Sequence, residues 1–335
     1  MATQETKILD EIISTGRRKM LTLGGAALAG MALSTTKPAA AQAAYTDNDI
    51  LNFALNLEYL EANFYYLAAF GTTINTANAA STAAGAAVYP ISGVGTQGTV
   101  TVKANPKVPF TTIAASSYAI EIAIEEGKHV GFLQSALGSL AVAQPAIDLM
   151  TSFNTLASAA TIGPAFDPFA SDATFLVGSY IFEDVGVTAY HGAAGLITNK
   201  VTILPAAAGI LAVEAYHAGL VRTAINALDP TGSLGLIGYT TKISALRAAL
   251  SLAANSAAPN PDDYGLATFQ VSLAGASNVT ATRIVDADAV NSIAFSRNTA
   301  QVLNIVTGGG AVSGSTAVSP AKGVFFPAGM NGLFK

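Results

Sequence analysis

Two four-residue stretches carry the residue types best suited to chemistry: Glu126-Gly127-Lys128-His129 and Glu214-Ala215-Tyr216-His217. Each is a Glu-x-x-His set in an apolar segment of helical pattern, and at i, i+3 the two side chains share one helix face. A carboxylate and an imidazole so placed can bind one metal ion from one helix. The chain has three histidines and, after residue 43, seven glutamates. A Glu three positions before a given His is then roughly a one-in-forty event, so two hits among three are not chance. Glu125, four residues before His129, shares that face too; the repeated i−3 spacing favours Glu126.

These pairs must be positioned by helices. Residues 46–70 show an apolar stripe from Ile50 to Ala68, with Thr46 or Asp47 to cap it and Gly71 to end it. Glu58 and Glu61 are set into the stripe, and Tyr65 lies two turns beyond Glu58 on the same face. A second helix is expected from about Ile113 to Leu137, and a third from Ser171 or Asp172 to about Thr198, carrying Glu183 and Tyr190. Pro205 opens a fourth that closes near Leu228, and Thr241–Ala254 forms a shorter fifth. Helices one and two thus read Glu, +7 Tyr, then Glu-x-x-His, and helices three and four read the same. Two such pairs folded face to face bring four carboxylates and two imidazoles together, six protein ligands for two ions. Arg222, Arg247 and Lys128 are the cations that could neutralise these carboxylates instead. Residues 72–109 form a long connection with a short strand pattern at Thr99–Lys103. After Asn255 a Pro-rich linker leads to a hairpin pattern (Thr268–Leu273, Val279–Val285), a helix broken near Asn298, and a Gly-rich tail. No Glu follows Glu214, and this extension is expected to pack on the outside of the bundle.

Composition closes off other classes. Half the residues are apolar (51%) and 11% are charged, so the chain buries a large core. Without Cys there is no disulfide, thiolate site or thiol catalysis. A net charge of −5 with no basic, aromatic-laced patch excludes nucleic acid as partner. At the N-terminus, Arg17-Arg18-Lys19 precedes a weakly apolar run and Ala41-Gln42-Ala43. This resembles a twin-arginine export signal over residues 1–43, too short and Gly-rich for a stable membrane span, and implies a bacterial periplasmic or envelope location. Its removal leaves 11 Lys/Arg against 18 Asp/Glu, a mature net charge of −7.

One Glu from each of two helices plus a Glu-x-x-His from each of two others is the ligand pattern of ferritin-like di-metal carboxylate bundles. Asn52–Ala68, the run Ile181-Phe182-Glu183-Asp184-Val185-Gly186-Val187-Thr188-Ala189-Tyr190, and Ala294–Ile305 resemble the exported ferritin-like family that includes desiccation-related proteins of plants and bacteria. The resemblance covers about residues 46–310 and implies an all-α, antiparallel four-helix bundle at 44–255, with an additional short helix and a hairpin-bearing extension at 256–335. It would make Glu58, Glu126, His129, Glu183, Glu214 and His217 the ligands. Glu61 is the alternate to Glu58 or the holder of a third cation, and Glu125 and His191 are further alternates. Whether Glu126, Glu183 or both bridge stays open. Tyr65 matches a position where ferritins carry a Tyr beside the site, a candidate catalytic residue. Oxygen ligands with one nitrogen per ion suit two Fe, or Mn as the alternative, acting on dioxygen or peroxide as an oxidase, ferroxidase or peroxide-removing protein. The competing expectation is a protective envelope protein whose site only stabilises the fold. A homo-oligomer is compatible with either; a storage cage is disfavoured by the long loop and tail.

Overall fold

The computed structural model describes residues 45–272, 278–310 and 323–334. The expected export signal at 1–43 lies outside them. Helix α1 (Asp47–Phe70) starts at Thr46, whose side chain accepts from the Asp49 amide while the Asp49 carboxylate accepts from the Thr46 amide. It ends at Gly71, held at φ 75°, where a left-handed residue costs glycine nothing. From Leu55 to Phe70 every residue of α1 is buried, so this is the central helix rather than a surface one.

Short α2 (Ala79–Ala83) follows, then β1 (Val100–Thr101) and α3 (Ile113–Leu137), capped by Thr112. Strand β2 (Ile147–Asp148) pairs parallel with β1, Val100 opposite Ile147 and Thr101 opposite Asp148. Helix α4 (Thr151–Ala159) leads to α5 (Asp172–Ala194), whose N-terminus is fixed by a Ser171/Thr174 capping box. Helix α6 (Ile203–Leu228) and helix α7 (Leu236–Ala254) complete the helical body. Strands β3 (Ala267–Val271) and β4 (Val279–Arg283) form the antiparallel hairpin, and α8 (Thr299–Val306) is capped by Asn298.

Several expected boundaries shift. Helix α5 ends at Ala194 rather than Thr198, because Thr198 and Asn199 instead donate to the Asp47 carboxylate at the start of α1. Pro205 sits in the first turn of α6, two residues inside its start. Helix α7 begins five residues before Thr241, since the buried Asp229 carboxylate accepts from the amides of Leu234 and Leu236. Val290–Arg297 is not helical.

Helices α1 and α3 pack together over their length, as do α5 and α6, and the two pairs meet across α1 and α5. Helix α6 is long and apolar enough to cross a membrane, but its Glu214, His217 and Arg222 are all buried inside the protein. The extension is more deeply built in than an outer layer. Phe325 lies 5.4 Å from Phe153 and 5.1 Å from Phe182, centroid to centroid, in the main core. Arg297, 1% exposed, is held by Asp262 and Asp263.

Candidate metal centre

Four helices each contribute to one buried cluster: Glu58 from α1, Glu126 and His129 from α3, Glu183 from α5, Glu214 and His217 from α6. It resolves into two overlapping groups, Glu58/Glu126/His129/Glu214 and Glu126/Glu183/Glu214/His217, with ligand atoms inside each group within 4.8 Å of one another. Glu126 and Glu214 belong to both. Glu126 turns Oε2 toward His129 Nδ1 at 3.5 Å and Oε1 toward His217 Nδ1 at 3.0 Å, one oxygen to each half. His129 Nδ1 also faces Glu58 Oε2 at 3.3 Å and Glu214 Oε1 at 3.6 Å, and His217 Nδ1 faces Glu183 Oε2 at 3.4 Å. Glu126 and Glu214 are therefore the residues that two ions would share, while Glu183, which the sequence left as a bridging candidate, belongs to one group only.

The arrangement fits a pair of metal ions. Glu58 Oε2, both oxygens of Glu126 and Glu214, Glu183 Oε2 and both Nδ1 atoms are buried without a hydrogen bond. Buried polar atoms are almost always hydrogen-bonded; these eight have only one another as ionic neighbours, and eight donor atoms converging on one point fit a ligand set. Four carboxylates and two imidazoles are the donors expected of Fe or Mn.

Three outer atoms of the ligands, Glu183 Oε1, Glu58 Oε1 and His217 Nε2, are committed. Tyr65 on α1 donates its phenol to Glu183 Oε1 on α5, and Tyr190 on α5 donates to Glu58 Oε1 on α1. The two tyrosines are thus exchanged between the halves, and each leaves its glutamate one free oxygen. This makes Tyr65 an orienting neighbour of a ligand, a role Tyr190 shares. Glu125 lies outside both groups: its Oε2 meets His217 Nε2 at 2.7 Å, fixing the ring so that Nδ1 points inward. Room for Glu214 is made by Gly186, where a Cβ would overlap Glu214 Oε2.

Charge follows from this geometry. Burial works against an imidazolium, yet Glu58 and Glu126 overcome it and raise His129 to about 12. His217 is raised likewise by Glu183 and Glu126. Burial would raise Glu126, but the two imidazolium rings hold it well below the usual carboxylate range. Glu58 is pushed up to about 7, chiefly by burial, and burial together with neighbouring carboxylates raises Glu214 far above its ordinary value.

The remaining candidates fall elsewhere. Glu61, 6% exposed, is in neither ligand group. His191 stands apart, its Nδ1 3.1 Å from the Phe295 carbonyl oxygen. Lys128 is exposed, and Arg222 and Arg247 do not neutralise the cluster. Both bind Asp184 at 2.9 Å, and Arg247 also binds Asp263 at 2.7 Å. Asp184, Asp263 and Asp286 form a third acidic group, of which these guanidinium groups pair Asp184 and Asp263; Asp286 accepts from the Tyr264 amide and is raised to about 8 by burial and by Asp263 and Asp184.

A helical bundle enclosing two overlapping groups of buried carboxylates and imidazoles that could hold metal has a ferritin-like architecture. The chain belongs to the ferritin-like domain family, whose pattern it matches over residues 46–227. It is 34% identical to the desiccation-related protein PCC13-62 of Craterostigma plantagineum over 211 residues, 60% of this chain and 61% of that protein. Over 295 residues, 85% of this chain and 84% of the relative, it is 26% identical to the ferritin-like catalase Nec2 of Nesocodon mauritianus. No solved structure gives a significant match.

Proposed function

We propose that this chain is an exported oxidoreductase with a di-metal centre, iron in the first place and manganese as the alternative, acting on peroxide or dioxygen. The observation that carries the reading is the double ligand set with eight unpartnered atoms. Two adjacent ions supply a two-electron couple, which suits removal of peroxide as water and dioxygen. The protein does the rest. Glu126 and Glu214 hold the two positions at one spacing, Tyr65 and Tyr190 fix which oxygen of Glu183 and Glu58 faces inward, and the apolar walls of α1 and α5 keep water away. Glu125, its side chain 37% exposed and bonded to His217, is the point where protons and polar molecules reach the cluster. The catalase name of one relative supports the peroxide reading. The desiccation-related name of the other fits a protective role under stress. Export through a twin-arginine signal would allow metal loading before translocation.

The test is metal analysis of the mature protein from its own envelope, beside a Glu126→Ala/Glu214→Ala double variant. Near two Fe or Mn per chain, lost in the variant, supports the reading and selects the assay. No metal in either, with equal stability, sinks it and leaves a purely protective bundle.

A further inference from the structure

Glu61 is the buried carboxyl that the ligand set leaves unused. It lies one turn beyond Glu58, with no hydrogen bond among the described residues. It lines two adjoining cavities, one of about 50 Å³ and one of about 40 Å³, which also share Leu57. The first runs outward between α1, α4, α5 and α7 past Leu246 and Phe325; the second borders Glu58, Gly186 and Tyr190, so it reaches the ligand set. Arg247 and Arg297 touch the walls, but their guanidinium groups are bound to Asp184, Asp262 and Asp263. Glu61 is the carboxyl left to face both spaces.

Volume and polarity select the occupant. A water needs about 10–15 Å³ and two to four polar partners, and one free carboxyl does not meet that requirement. Hydrogen peroxide has two donors to satisfy and would lose them here. An acyl chain is far too large. A diatomic gas fits and has no hydrogen bond to lose.

We infer that these cavities are the dioxygen site of the metal centre, with Glu61 at the junction between the gas and the ligand set. The inference rests on the di-metal reading. It divides traffic in two: dioxygen moves through the apolar side, and peroxide, water and protons through the edge at Glu125 and His217. Dioxygen is the substrate of an oxidase and the product of peroxide dismutation, and the experiment separates the two.

Crystals of the mature chain are pressurised with xenon, beside Leu246→Phe, which fills the first cavity, and Ala54→Leu, which fills the second. Xenon is expected in both cavities of the parent and absent from the filled cavity of each variant. With metal loaded, both variants keep their metal content. If dioxygen is substrate, its reaction with the reduced centre slows several-fold while a single turnover with peroxide is unchanged. If it is product, the first turnover with peroxide is unchanged and steady dioxygen evolution slows. Xenon in neither cavity of a metal-loaded protein overturns the inference alone, as do unchanged rates in folded variants. Xenon bound to a protein that holds no metal overturns the functional reading, and this inference with it.

Discussion

The metal-free protein should lose stability as pH rises, against the behaviour of most domains near neutrality. His129, ordinarily at 6.5, is raised to about 12, and His217 is raised in the same way. Their imidazolium–carboxylate contacts contribute fully below the unfolded value of about 6.5 and are lost as pH climbs toward the folded value. Between those limits the folded chain carries two protons that the unfolded chain lacks, so stability falls by roughly 2–3 kcal/mol per pH unit. From pH 7 to 9 that is about 5 kcal/mol, comparable with the whole stability of a typical domain. Glu214 and Glu183, both raised by burial, act with the same sign from lower pH. Glu126, lowered by the two rings, acts oppositely: its contribution is present above its ordinary 4.5 and is lost on acidification. The metal-free optimum therefore falls close to the ordinary carboxylate value of 4.5, where the two opposing sets cross. Metal ions replace these protons, so loading should reverse the slope and release about two or more protons per ion pair. Urea midpoints of chelator-stripped and loaded protein from pH 6 to 9 check the sign, and calorimetry in buffers of different ionisation heat counts the protons. Stripped protein equally stable at pH 6 and 9 would refute the assignment of charge within the cluster.

Three further outcomes follow from single contacts. Tyr65→Phe or Tyr190→Phe removes a phenol hydrogen bond to Glu183 or Glu58 and should cost about 1.5–3 kcal/mol in the urea transition, with two ions still bound. Gly186→Ala drives a methyl into Glu214 Oε2; metal content should fall below two per chain while helicity by circular dichroism is kept. Arg297→Met leaves Asp262 without its cation in a dry interior and Asp263 with Arg247 alone, which should cost about 3–5 kcal/mol without changing metal content.

The six ligands were legible because their spacing is a local property of helices. A Glu-x-x-His and a Glu with Tyr seven residues on are each set by 3.6 residues per turn, whatever the helix packs against. What each group does for its neighbours was not legible, since that depends on which helices face. Glu58 and Glu61 sit on overlapping faces of α1, and only the approach of α3 and α6 separates them. The place of Glu214 in both groups depends on Gly186 leaving room for its carboxylate across the α5–α6 contact. Arg222 and Arg247 looked free to neutralise the cluster because their shared partner Asp184 is recruited only when α5, α6 and α7 pack, and Arg247's second partner Asp263 lies in a linker that reads as exposed. Helices α2 and α4 are too short for a clear apolar period; the Asn78/Ser81 capping box of α2 was the available sign.

One substitution between the two halves makes the centre unequal. Glu58/Tyr65 exchanges with Glu183/Tyr190, and Glu126/His129 with Glu214/His217, but the residue preceding each Glu differs: Glu125 on α3, Val213 on α6. Glu125 crosses to His217 Nε2, whereas the ionic contacts of His129 among the described residues all run through Nδ1. A carboxylate on the outer nitrogen raises ligand basicity, and losing such a partner typically weakens metal affinity about 10–100-fold. The half containing Glu183 and His217 should therefore fill first, giving two resolved steps in a calorimetric titration. Glu125→Val makes the halves alike, and the stronger step should weaken until the two merge. Val213→Glu should strengthen the weaker step instead. Two resolved steps that persist unchanged in Glu125→Val would refute this origin of the inequality and place it in the carboxylates.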